Sequence, residues 1–330
     1  SITYTYDRFG NRASMTVSGS EGYTTTYAYD ANNRLVSEVK DDVTTTYTYD
    51  NNGNTVGKAA GARLDVYSYN LYNQLTGNII GGVSATYTYN AKGIRTSKTV
   101  GTDVTSFILD GGNVIAEVKG TEVVDYIRGI NLICTDESYY IYNAHGDVVS
   151  LTSTIGIVTK TYDYDAFGNE ADPSDADTNP FRYCGEYYDT ETGTYYLRAR
   201  YYDPAVGRFT QQDLEINTNP KDPLSLNLYT YCWNNPLMFV DPSGHWPDWN
   251  KLVQGAILAT VGVLTVAAVV ATGGAATAVV ALGYAALATA GTTLAIQGTA
   301  EVVESVTGKN PIKDDMGENL YDAVMNASLA

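Results

Sequence analysis

Tyr27-Ala28-Tyr29-Asp30, Tyr47-Thr48-Tyr49-Asp50, Tyr67-Ser68-Tyr69-Asn70 and Tyr87-Thr88-Tyr89-Asn90 follow one another at a constant interval of 20 residues. An earlier copy, Tyr4-Thr5-Tyr6-Asp7, precedes the first of them by 23. A fixed period near this length marks an array of identical supersecondary units. Within each unit the Tyr-x-Tyr alternation puts both rings on one face of a strand. The Asp or Asn, Gly and Asn residues that follow tolerate positive φ and favour a tight turn. A second strand such as Arg34 to Val39 then returns, so each unit reads as one hairpin. Leu109-Asp110 continues the 20-residue step, and degenerate copies at Tyr142-Asn143 and Tyr164-Asp165 carry the array to about residue 170. One hairpin cannot bury its face alone, whereas many side by side form a continuous ribbon of sheet. Some sixteen strands at roughly 4.8 Å each would span about 75 Å, and an open sheet of that width tends to curl.

Composition agrees with extended, half-wet sheet. Tyr outnumbers Phe 29 to 6, and Tyr and Thr suit pleated surfaces where a ring packs and a hydroxyl stays hydrated. The net charge of -17 argues against nucleic acid, whose phosphates demand clustered Lys and Arg, and disfavours an anionic membrane surface. Cys134, Cys184 and Cys232 are too few and too far apart for a disulfide framework, and read as small buried hydrophobes. His145 and His245 lack ligand spacing, so no metal is expected. Gly308-Lys309 has Val303 where a phosphate-binding loop needs glycine, and no cofactor is expected. The repeat tyrosines read as the sheet's own packing. The chain begins at Ser1 inside a repeat and reads as part of a longer polypeptide.

Past residue 170 the pattern changes. Residues Ala171 to Asn179 form a loop rich in Asp, Pro, Ser and Thr, and Asn217 to Leu226 a second one. Glu186 to Arg198 reads as a hairpin turning at Thr192-Gly193, and Gln212-Asp213 and Asn227 to Asn234 as places for short helices. From Phe181 to Trp246 the chain concentrates aromatics, Arg, Asp, Pro and Gly: Tyr195 to Pro204, Gly207-Arg208-Phe209, Asn234-Asn235-Pro236 and Asp241-Pro242-Ser243-Gly244. Between Leu252 and Ala300 there is no charged residue. Gly273-Gly274 divides that run into two pieces of membrane-spanning length, but its Ala, Gly and Thr content weakens insertion and permits close helix packing. A membrane hairpin and a buried or membrane-probing helical pair both fit. Lys313 to Ala327 has the apolar spacing of a last amphipathic helix.

Two carboxylates held close cannot both ionise, so one serves as acid while the other acts as base on a water. Asp213 and Asp241 would make such a pair if folding closes the 28 positions between them. The alternative is structural: an Arg200–Asp213 ion pair and a plain turn at Asp241-Pro242-Ser243-Gly244. Asp203 reads as a turn cap before Pro204, and Arg208 as a packing or salt-bridge residue.

Repeat and junction together resemble the RHS/YD-repeat family over residues 1 to about 246. The resemblance implies a mainly β fold: a curled YD-repeat β-hairpin shell (residues 1–170) closed by an RHS core plug (171–246), followed by an α-helical hydrophobic pre-toxin segment (247–330). Members with matching motifs cut themselves just beyond Asp-Pro-x-Gly, once per chain. Carried onto this sequence, the resemblance makes Arg200 the essential arginine, Asp213 and Asp241 the carboxylates, and His245–Trp246 the scissile bond. Arg200 would hold a carboxylate ionised or stabilise charge on the attacked carbonyl. At the position of His245 the family usually carries Leu. The resemblance further implies a secreted or cell-surface bacterial toxin with its own C-terminal cargo segment as partner, together with delivery machinery and a target membrane. The competing expectation is a non-enzymatic, teneurin-like adhesion scaffold whose plug is purely structural.

Overall fold

The computed structural model describes residues 1–19, 22–174, 176–214, 218, 223–245 and 247. In it each Tyr-Asp turn is built the same way. The carboxylate or amide oxygen of the turn residue accepts two backbone N–H groups, two and four positions on. Asp30 Oδ1 takes those of Asn32 and Arg34, both at 2.9 Å; Asp50 takes Asn52 and Asn54 at 2.9 and 2.8 Å. Asn70 and Asn90 repeat the arrangement, as do Asp7 and Asp165. The side chain thus does what a further turn of backbone would do; Asn can replace Asp because the two backbone N–H groups need only one acceptor oxygen, while the second atom meets the side chain four residues on, Asp50 Oδ2 accepting from Asn54 Nδ2 and Asn70 Nδ2 donating to Gln74 Oε1. Asp50→Ala is expected to cost about 1–2 kcal/mol through these unpaired donors and Asp50→Asn much less, read as shifts in the urea midpoint.

The tyrosine before each turn residue locks one hairpin to the last. The hydroxyls of Tyr29, Tyr49 and Tyr89 donate to the backbone oxygens of Arg12, Leu35 and Leu75 at 2.9, 2.9 and 2.7 Å. The strand register slips at tyrosines of this repeat position, between Ala28 and Tyr29, Thr48 and Tyr49, and Ser68 and Tyr69. Bulges of this kind increase local strand twist. Thirteen strands, from Ile2–Tyr6 to Glu122–Asp125, pair in sequence order as one sheet.

This sheet and the segment Tyr162–Trp249 belong to one compact unit; Asp125–Thr161 belongs to a second. The array therefore does not run on as a single ribbon to residue 170. The strands Ile127–Arg128, Leu132–Cys134, Ser138–Tyr142, Val148–Ser153 and Val158–Thr161 make a separate five-stranded sheet, in which Tyr142 still donates to the Leu132 oxygen at 2.8 Å. The 20-residue step is lost between Leu109-Asp110 and Tyr142-Asn143, so the hydrogen-bonding frame changes there. Neither sheet is closed on itself.

In the first unit a four-stranded sheet of Tyr187–Asp189, Thr194–Leu197, Arg200–Asp203 and Arg208–Phe209 lies against the tyrosine-bearing face of the large one. Its hairpin turns at Thr192-Gly193 as the sequence suggests. Its core joins Tyr183, Tyr195, Leu197, Tyr202, Phe209 and Tyr231 with Val240, and Tyr202 stacks on Tyr231 at 4.0 Å. Contact with the large sheet is mixed: Tyr49 meets Tyr229 and Phe107 meets Tyr187 edge-on, Tyr229 donates to the Gly53 oxygen at 2.9 Å, and Asn227 Nδ2 donates to Asn11 Oδ1 at 2.7 Å. Gly207 sits at φ 67°, against the Arg12 guanidinium, where a Cβ has no room. Among the described residues the short helices are 3₁₀ turns at Tyr183–Gly185, Pro223–Leu226, within the stretch read as a loop, and Cys232–Asn234; Gln212-Asp213 is not helical, its main chain being drawn to the Leu228 oxygen by the Asp213 N–H at 3.0 Å. Cys184 and Cys232 are buried, whereas Cys134 is only half so. Among the described residues no helix is long and apolar enough to cross a membrane. The run Leu252 to Ala300 and the helix expected over Lys313 to Ala327 lie outside the described residues.

Candidate functional site: a buried arginine between two carboxylates

Arg200 opens the strand Arg200–Asp203, directly after a tight turn in which Arg198 adopts φ 63°. The Asp241-Pro242-Ser243-Gly244 turn docks on that corner. Ala199 N–H donates to the Ser243 oxygen at 3.3 Å, and Arg198 Nη1 to the Pro242 oxygen at 2.7 Å. Gly244, at φ 75°, lies so close that a Cβ would stand 2.5 Å from the Leu197 oxygen. This packing brings together residues that are remote in sequence. Arg200 Nη2 is 3.1 Å from Asp213 Oδ2 and 3.8 Å from Asp241 Oδ2. Its Nε donates to the Gly244 oxygen and its Nη1 to the Leu228 oxygen, the latter at 3.0 Å. Its Cζ sits 3.5 Å over the centre of the Phe209 ring, a cation–π contact that completes its desolvation.

The two carboxylates differ. Asp241, 2% exposed, directs Oδ1 at the N–H groups of Ser243, Gly244 and His245 at 3.2, 2.8 and 3.1 Å, and at the Ser243 hydroxyl. Burial pushes its carboxyl above the ordinary range, against the opposing pull of Arg200 and these donors. Asp213 takes the Leu214 N–H on Oδ1 at 2.8 Å and faces Arg200 through Oδ2. His245 Nδ1 lies 2.8 Å from Asp213 Oδ1, with its side chain one-third exposed. A neutral carboxylic acid beside an ionised carboxylate is the arrangement that lets one group donate a proton while the other accepts one. Trp246 lies outside the described residues.

Because a carboxyl raised by burial favours folding while protonated, this contribution is present in acid and is lost as pH rises through the folded-state value. Relative to wild type, Asp241→Asn should therefore gain stability as pH goes from acid to neutral. Urea midpoints between pH 4 and 8 check this; parallel curves would contradict it.

Asp203 caps its own turn, its Oδ1 accepting the Ala205 N–H at 2.9 Å. Arg208 reaches the large sheet, with Nη1 3.2 Å from Asn11 Oδ1. Several inward-facing cations escaped the sequence reading. Arg95 and Lys98 converge on Asp189, and Arg12 stacks on Tyr4 and Phe167 at 4.6 and 4.1 Å. The available signal was positional: Arg12 and Arg95 stand five residues after Asp7 and Asn90, where the other units have Leu35, Thr55 and Leu75.

Asx-capped Tyr-Asp hairpins, with their tyrosine face covered by an Arg- and Asp-rich segment, define a YD-repeat β protein. A family model described as Teneurin YD-shell matches residues 126–237. The tRNA3(Ser)-specific nuclease WapA of Bacillus spizizenii is 41% identical over 165 residues, 46% of this chain. Toxin protein Tse5 of Pseudomonas aeruginosa is 39% identical over 83 residues, 25% of this chain and 6% of its own length. Double-stranded DNA deaminase toxin A of Burkholderia cenocepacia is 26% identical over 256 residues, 74% of this chain and 17% of its own length. Over the matched residues the chain is similar to RHS/YD-repeat proteins. It spans about 7% of the length of WapA.

Proposed function

We propose that this chain is the C-terminal part of a secreted or surface-delivered bacterial RHS-type toxin, whose curled hairpin sheet encloses its own cargo segment. Residues 1–170 serve as the shell, 171–246 as its plug and self-cleavage site, and 247–330 as a helical pre-toxin region leading into the cargo. The plug cuts the chain once, between His245 and Trp246. The observation that carries this reading is the placement of buried Arg200 between Asp213 and Asp241, with its Nε on the Gly244 oxygen, one carbonyl before the bond to be cut. Asp213, paired with Arg200, takes a proton from water as its oxygen adds to the His245 carbonyl carbon. Asp241 gives its proton to the Trp246 nitrogen as the C–N bond breaks, leaving a carboxyl on His245 and an amine on Trp246. Arg200 steadies the negative charge on the attacked group. No cofactor enters. Delivery machinery and a target membrane are the further partners this role requires.

A denaturing gel tests the cut. The 35.6 kDa chain should resolve into bands of about 27 and 9 kDa, and Asp213→Asn and Asp241→Asn should each restore one band. A single band from the unmutated chain supports the second reading, an adhesion scaffold with a structural plug. That reading draws on the four donors already gathered on Asp241 Oδ1, which suit a plain turn.

A further inference from the structure

Three consecutive peptide planes lead up to the bond to be cut, and each is held at both ends. The carbonyls of Pro242, Ser243 and Gly244 meet one corner of the plug. Arg198 Nη1 donates to the first at 2.7 Å, the Ala199 N–H, shared with the Leu197 oxygen, to the second at 3.3 Å, and Arg200 Nε to the third. On the same planes the N–H groups of Ser243, Gly244 and His245 all face Asp241 Oδ1. A trans peptide is rigid, so holding its carbonyl and its N–H fixes the plane. Donors at 198, 199 and 200 thus meet carbonyls at 242, 243 and 244 in order, as the rungs of a ladder. The next N–H along the strand, that of Tyr201, is taken by Gln211 Oε1 at 2.9 Å, so the series ends on Gly244, one plane before the His245–Trp246 bond. We propose that main-chain register against this corner, rather than the side chains flanking the bond, sets where the chain is cut, and that Arg198 is the positioning residue of the first rung, a role that rests on the self-cleavage reading.

Every acceptor in the series is a backbone oxygen, which all residues carry alike, so these contacts by themselves would accept any register. Gly244 removes that freedom. Its φ is 75°, and a Cβ there would stand 2.5 Å from the Leu197 oxygen. Sliding the chain by one position would bring Ser243 or His245 to this place, each with a Cβ where there is no room and in a backbone conformation that favours glycine. The glycine therefore pins the register, and the corner sets the distance from it to the cut. Arg198 is itself held from two further sides, Nη1 donating also to Glu186 Oε2 and Nη2 to Asn113 Oδ1 at 3.3 Å. A planar guanidinium shared among these acceptors has little freedom to move, and the plane between Pro242 and Ser243 inherits that constraint.

The test translates the full chain in a cell-free system, follows the cut fraction with time and reads the new chain ends by mass spectrometry. With one alanine inserted between Gly244 and His245, the cut should move to the bond between that alanine and His245, at the wild-type distance from Gly244. If wild type is cut, an inserted chain that is still cut between His245 and Trp246, or that stays whole, overturns the proposal and leaves self-cleavage standing. Arg198→Gly removes the guanidinium yet suits the φ of 63° at the corner, and should slow cutting about 10²-fold, the cost of a small misplacement of the reacting groups. Glu186→Gln removes the charge of the Arg198–Glu186 pair but keeps an acceptor for Nη1, and should slow cutting far less. Equal slowing in these two variants would make Arg198 no more than a partner in an ion pair and overturn its positioning role. A wild-type chain that is never cut ends the self-cleavage reading and this one with it.

Discussion

Asp189→Ala should lower the stability of the first unit by about 3–5 kcal/mol, the cost of removing one member of a buried ion cluster. Asp189 is fully buried, and Arg95 is 2% exposed. The Arg95 guanidinium grips both carboxylate oxygens, and Lys98 Nζ adds a contact at 2.9 Å. Burial alone would push the Asp189 carboxyl up, but Arg95 and Lys98 outweigh it and hold it below the ordinary range. Truncation leaves two cations facing each other, with Glu191 the anion among the described residues that still touches one of them. Glu191 touches Lys98 at 3.1 Å, and its carboxyl is pushed up by burial and by Asp189. Without Asp189, Glu191 ionises more readily and recovers part of the loss, which places the expected value toward the lower end of the range. Urea unfolding followed by tyrosine fluorescence reads the change. The double replacement Arg95→Met with Asp189→Leu removes both charges together and should cost far less than Asp189→Ala alone. A single replacement with an unchanged midpoint would mean that this cluster does not fasten the Tyr187–Asp189 hairpin to the large sheet.

That cluster also marks the limit of what the sequence discloses. The hairpin array was legible because its causes are local: a side-chain oxygen reaching N–H groups two and four residues away needs only the Tyr-Asp spacing. The break after Glu122–Asp125 was not, because it depends on which strand edge is offered next, a property of pairing rather than composition. Arg95 and Asp189 are 94 positions apart, and no local rule links them. The Asp241 turn could be read from Asp-Pro-Ser-Gly alone, since a carboxylate followed by N–H groups two to four residues on is again a local device. The approach of Asp213 and Asp241 to one guanidinium required the four-stranded sheet to fold first, and in the sequence only family resemblance connected them. His245 stood out as a departure from the usual Leu, but its contact with Asp213 depends on the same folding.

Arg200→Met should abolish the cut and destabilise the unit by about 3–5 kcal/mol, because it leaves two buried carboxylates without their shared cation. The same change strips donors from the Gly244 and Leu228 oxygens. Loss of fold would explain the loss of cutting by itself, so Arg200→Lys is the more informative variant. A lysine keeps the positive charge but offers a single point of contact, and it cannot reach two carboxylates and two carbonyl oxygens in the fixed plane of a guanidinium. Charge compensation is largely retained, so its urea midpoint should fall much less than that of Arg200→Met. Cutting should still slow by about 10²–10³-fold, the usual consequence of losing a donor that steadies a developing oxyanion, the role proposed for Arg200. These two readouts separate the roles of one side chain, stability following the charge and rate following the fork. An Arg200→Lys chain that cuts at the wild-type rate would show that any buried cation suffices, and would assign the geometry around Gly244 to the architecture of the turn. One that folds normally and stays intact would place the guanidinium in the chemistry, since neither lost charge nor lost fold would remain to account for the failure.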